Sequence, residues 1–206
     1  MSFPVVVLLS GGGTTLQNLL DKIAAKTLDI DIVHVISSRK DAYGIERAKK
    51  AGIPATVIER KGFANAEEFG RANFDICRQA GAKLAVLAGY LQLLRIPEDF
   101  THKVMNIHPS LLPAFGGKGM YGHHVHEAVT KFGAKVTGCT VHFADNEFDH
   151  GPIISQSVVT VFPTDTPEIV ADRVFVAECE AYPKAIAAFA AGKMEVVGRL
   201  VRWTGG

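Results

Sequence analysis

A chain of 206 residues, 48% hydrophobic and 21% charged, carries enough apolar material for a sizeable core, which excludes a disordered polymer. Twenty-two basic residues stand against twenty-one acidic ones, a formal charge of +1, and no run of like charge is long enough to mark a nucleic-acid or membrane-surface partner. Nothing approaches the roughly 18 apolar residues that a membrane span needs, and the opening MSFPVVVLLSGGG has no basic leader, so a cytoplasmic, unprocessed chain is expected. Cys77, Cys139 and Cys179 are odd in number and widely spaced, the pattern of buried thiols in a reducing compartment rather than of a disulfide framework or zinc knuckle.

In chain order, strands are expected over 4–9, 31–37, 55–59, 84–88 and 104–107. Most are apolar throughout, as parallel strands covered on both faces are. Helical patterns fill the gaps at 15–25, 42–52, 65–81 and 122–132. Repeated βα units predict an α/β fold: an open, mostly parallel twisted sheet with helices on both faces, Rossmann-like. Segments 135–144 and 153–162 alternate better and are joined by a loop short enough for an antiparallel pair. A long helix over 167–191 and a last strand over 194–203 close the chain, which reads as one domain with no internal repeat or linker.

Ligands of an open α/β sheet bind beyond the carboxyl ends of its strands, and three stretches there carry chemistry. In LLSGGGTTLQNLL, the first strand runs into Gly11, Gly12 and Gly13, then Thr14 and Thr15 open a helix. Backbone NH groups and hydroxyls at a positive helix end make a phosphate cradle. No Gly-Lys-Ser/Thr follows, and Leu16 occupies the third glycine position of a dinucleotide fingerprint, so neither a P-loop nor a tight NAD site is expected. A capped glycine turn without a ligand is the structural alternative.

The second stretch is NIHPSLLP, residues 106–113. Asn106 and His108 lie two apart at a strand end and share a face, and Pro109 stops the strand. An amide and an imidazole aimed at one point suit the oxygen of a tetrahedral acyl intermediate; a turn-capping Asn106 and a satisfied core His108 are the alternative. The third is TVHFADNEFDHGPII, residues 140–154, whose loop offers Asp145, Glu147 and Asp149. A carboxylate from this loop beside His108 would favour the imidazolium, although Asp, Asn and Gly are also ordinary turn residues.

Taken together, SGGGTTLQ, NIHPSLLP and VHFADNEFDHGPII, in this order and at these separations, resemble the glycinamide ribonucleotide formyltransferases, a folate-dependent family of purine biosynthesis. The resemblance covers nearly the whole chain. Its length separates it from related formyltransferases and hydrolases that carry an additional domain. The resemblance implies one formyltransferase domain over 1–206, with a phosphate-binding half to about 105 and a catalytic, folate-binding half beyond. It implies Asn106, His108 and Asp149 as the catalytic group, and Gly13, Thr14, Thr15 and Glu178 as ribonucleotide contacts. Leu91, Gln92, Leu93 and Leu94, with Asn106, Phe143, Ala144, Asp145 and Asp149, would hold the folate. The implied substrates are glycinamide ribonucleotide and 10-formyltetrahydrofolate, with no metal, and the implied assembly is a monomer or homodimer.

The chain departs from the family at Thr14 and Thr15, where many members have Ser-Asn, and at Gln92, where arginine is common. The segment 114–129 is also longer and richer in histidine. Three rivals stand beside the resemblance. His123, His124 and His126, with His108, His142 and Asp149, are the residues a divalent-metal hydrolase would use, although HExxH spacing is absent. A dinucleotide-binding module and a folate enzyme with another acceptor, water included, are the others. At least one of the three clustered histidines is expected to cap a helix or line the phosphate mouth.

Overall fold

In the computed structural model, which describes residues 2–204, the apolar runs become strands. β1 (Phe3–Leu9), β2 (Ile30–Ser37), β3 (Ala55–Val57), β4 (Leu84–Leu87) and β5 (Val104–His108) pair in parallel. α1 (Thr14–Ala24), α2 (Gly44–Lys50) and α3 (Ala66–Gln79) fill the crossovers. α3 starts where Asn65 accepts the Glu68 NH and gives its own amide to the Glu68 carboxylate, a reciprocal cap. Later come α4 (His123–Phe132), β6 (Val136–Phe143), β7 (Ile153–Thr160) and α5 (Pro167–Ala190). The sheet order is β3-β2-β1-β4-β5-β6-β7, with β6 and β7 antiparallel. The fold is therefore α/β with a mostly parallel seven-stranded sheet.

The chain divides into two compact units, Met1–Asn106 and Ile107–Gly206. In the first, β1 and β4 are neighbours although the chain has meanwhile built β2 and β3 on the other side of β1. This reversal of strand order is a topological switch point, the place where open α/β sheets commonly bind their ligands. Its core is built on Val5, Val7, Leu16, Leu19, Phe69 and Phe74, all fully buried.

In the second unit, α5 packs on β6 and β7 and against α4, burying Val129, Val141, Phe143, Val174, Tyr182 and Ile186. Two sequence expectations are corrected here. The alternation read in 135–144 is absent: β6 is buried from Thr137 to Phe143. α5 covers one side of it, and the turn at 110–112 bonds to Thr140 on the strand itself. The last strand over 194–203 is instead a hairpin, β8 (Met194–Val197) and β9 (Leu200–Trp203), forming a separate two-stranded sheet. Val197 pairs with Leu200 around a turn whose Gly198 has φ 60°, a conformation that reverses a strand within two residues.

Candidate active site

At the switch point of the first unit, β1 ends in Ser10 and three glycines. Gly13 caps α1 with φ 71°, and a Cβ there would sit 2.7 Å from the Gly44 Cα, so only glycine fits. Gly11, Gly12 and Thr14 are exposed, and no side chain caps α1, the arrangement that suits an anion at a helix start. Arg47 holds this turn in shape, donating from Nε to the Gly12 carbonyl (2.9 Å) and from Nη1 to Gln17 Oε1 (2.8 Å). Ser10 ties it to the segment after β4: its NH donates to the Gly89 carbonyl, and its Oγ accepts the Leu91 NH at 2.9 Å. Leu91 NH is thus engaged within the protein. Leu91 is exposed, Gln92 and Leu93 half-buried and Leu94 buried. Neither Arg47 nor Ser10 was singled out from sequence. A basic residue about thirty positions downstream carries no local signal.

Asn106 closes the first unit two residues ahead of His108 on β5, so strand geometry gives both one face. His108 is 3% exposed. Its Nε2 is 2.9 Å from the Phe115 carbonyl, which only accepts, so Nε2 carries a proton. Its Nδ1 lies 3.4 Å from Asp149 Oδ1. The other Asp149 oxygen accepts the Gly117 NH at 2.9 Å, and His142 Nε2 stands 3.9 Å from Oδ1. Burial holds His142 below the usual imidazole range. The turn after His108 is pinned from β6 and β7. Thr140 Oγ1 donates to the Ser110 carbonyl and accepts the Leu112 NH, while Gln156 donates to Thr140 Oγ1 and to the Leu112 carbonyl.

The loop after β6 runs from buried Phe143 through half-buried Ala144 and Asp145 to Asp149, which has φ 53°. Gly151 permits its closure, because a Cβ there would lie 1.9 Å from the Phe143 carbonyl oxygen. On α5, burial pushes the Glu178 carboxyl up to about 8. Burial, and then the Glu178 charge, push the neighbouring Cys139 thiol up to about 12. Cys77 is buried as well, whereas Cys179 is only partly so.

The histidine cluster separates rather than converges. His123 and His124 are exposed and face Glu127, and His123 also faces Glu168. His126 is buried, and burial first, then the charge of His123, lower its pKa to about 4. The N-cap of α4 is Gly122, so none of the three histidines caps that helix. Among the described residues no group of three or more His, Cys, Asp and Glu could hold a metal ion, and no helix is long and apolar enough to cross a membrane.

A glycine turn at a switch point and a buried imidazole–carboxylate pair at a strand end suit an α/β enzyme, and similarity to known proteins makes its class group transfer. The family profile described as formyl transferase matches residues 4–186. Over 198 residues the chain is 38% identical to the phosphoribosylglycinamide formyltransferase of Haemophilus influenzae, covering 95% of this chain and 91% of that protein. It is 37% identical to the chloroplastic phosphoribosylglycinamide formyltransferase of Arabidopsis thaliana, covering 89% of this chain but only 64% of the plant protein's length. The crystal structure of glycinamide ribonucleotide transformylase 1 from Symbiobacterium toebii superposes with a TM-score of 0.92 at 39% identity, over 99% of this chain and 95% of that one. The chain belongs to the formyl transferase family.

Proposed function

We propose that this protein transfers the formyl group of 10-formyltetrahydrofolate to the amine of glycinamide ribonucleotide, a step of purine biosynthesis, in the cytoplasm. The observation that carries the reading is the buried His108–Asp149 pair at the end of β5, in a chain so similar to proteins named for this reaction. Gly13, Thr14 and Thr15 take the ribonucleotide phosphate, and Glu178 takes its ribose and glycinamide end. Residues 91–94 and the 143–149 loop take the folate, whose ring faces want dry contact while its edge wants hydrogen bonds.

The neutral amine attacks the formyl carbon, forming a C–N bond and a tetrahedral oxyanion; the bond from carbon to N10 then breaks, and the amine's proton ends on N10. Asn106 donates its amide NH to the oxyanion. His108 is oriented by the Phe115 carbonyl through Nε2, so Nδ1 is its remaining donor. The 3.4 Å gap from Nδ1 to Asp149 is too long for a strong hydrogen bond. Nδ1 therefore serves the oxyanion, with Asp149 as counter-charge to the imidazolium. Asp149 also orders a water that relays the proton.

The test is a chelator-treated assay that follows loss of the formyl donor, with and without glycinamide ribonucleotide. The expected result is ribonucleotide-dependent turnover that falls about 10² to 10⁴-fold in His108→Ala and in Asp149→Asn. Equal consumption without the ribonucleotide assigns the acceptor role to water. Turnover only on adding a divalent metal overturns the mechanism.

A further inference from the structure

We infer that Arg199, in the turn of the β8–β9 hairpin, is a positioning residue for the loop that presents Asp149, acting through His150; this rests on the role proposed above for Asp149. Arg199 Nη2 donates to the His150 carbonyl, and Nη1 lies 3.2 Å from His150 Nε2. A guanidinium has only donors, so Nε2 accepts and the ring's proton sits on Nδ1, which faces Asp145 Oδ2 at 2.7 Å. The other Asp145 oxygen accepts the Glu147 NH at 2.9 Å. A continuous set of bonds thus runs from the hairpin turn through His150 to the head of the loop.

Asp149 lies inside that set, next to His150, with a left-handed backbone at φ 53°. A non-glycine residue holds such a conformation where its surroundings over-determine it. The Arg199 grip on the adjacent carbonyl and ring supplies part of that constraint. The hairpin is itself docked, since Trp203 Nε1 donates to the Ile154 carbonyl at 3.0 Å, at the start of β7. Neither Arg199 nor His150 belongs to the proposed catalytic or binding residues. Both are exposed, so their loss leaves the core intact.

The experiment compares the full chain with Arg199→Ala, Arg199→Lys, His150→Ala and the double variant, with Arg202→Ala on the same hairpin as control. In Arg199→Ala, kcat is expected to fall about fivefold to twentyfold, the size of loss a slightly misplaced catalytic group produces. KM for the formyl donor rises, KM for the ribonucleotide and the melting temperature stay at wild-type values, and Arg199→Lys recovers part of the loss. His150→Ala reproduces the effect, and combining the two adds nothing further, as residues acting in series require. Amide hydrogen exchange over 145–150 speeds up in both single variants and not in Arg202→Ala. Wild-type kcat in Arg199→Ala, with or without faster exchange, overturns the inference, as does multiplication of the two losses in the double variant. If the wild-type chain shows no formyl transfer, the functional reading fails instead; unchanged exchange in Arg199→Ala then independently sinks the grip on the loop.

Discussion

His108 has an acceptor opposite each ring nitrogen, the Phe115 carbonyl at 2.9 Å and Asp149 at 3.4 Å, and only the doubly protonated ring can serve both. The short contact sets the ring plane, and in the mechanism proposed above the long one leaves Nδ1 to the oxyanion. Glu178 follows a different logic, because burial keeps its proton on, up to about pH 8. Its contribution to stability is fully present below its ordinary value of 4.5 and is lost as pH rises through 8. Glu178→Gln keeps the neutral shape, so urea melts at pH 9 should show a gain on the order of a few kcal/mol over wild type. If Glu178 also meets the ribonucleotide as proposed, the same variant should raise KM for that substrate and leave KM for the formyl donor unchanged.

Elements matter here through their ends. β5 delivers His108 and stops at Pro109, and the turn that follows is held by a hydroxyl on β6 and an amide on β7. Thr140→Val retains shape while leaving the Ser110 carbonyl and the Leu112 NH without this partner. The expected cost is about 1 to 3 kcal/mol, seen as a lower denaturation midpoint, together with reduced kcat as the segment bearing the Phe115 carbonyl loosens. A Thr140→Val protein with unchanged stability and turnover would show that Gln156 alone suffices. The segment MEVVGRLVRW reads as one strand because it is apolar on both sides of one glycine, yet it folds as β8 and β9. The signal was Gly198, since a glycine inside a strand pattern marks a turn or bulge. Histidines clustered in sequence do not cluster in space: neighbours in α4 point different ways, so His126 is buried while His123 and His124 meet glutamates at the surface.

For the molecule as a whole, His126 and Glu178 pull stability in opposite directions with pH. The contribution of His126, held at about 4 against an ordinary 6.5, is present above 6.5 and lost as pH falls through 4. Between about 4.5 and 6.5 these two slopes cancel, and His142, which burial also holds below 6.5, adds a rise of stability with pH there. From 6.5 to 8 only Glu178 acts, and unfolding free energy should drop by about 2 kcal/mol. Denaturant titrations across this range check the profile, and a continuous rise from pH 5 to 8 would contradict it. Much of the fold was legible beforehand, since buried parallel strands announce themselves as unbroken apolar runs and the glycine turn after β1 is a local feature. The shared face of Asn106 and His108 was equally local, fixed by the two-residue period of a strand. What only tertiary structure decided is which atoms these residues meet. Phe115 reaches back to His108 across 7 positions, Gly117 meets Asp149 across 32, and Arg199 meets His150 across 49. Such contacts depend on how loops close over a finished sheet, and local periodicity carries no information about that closure.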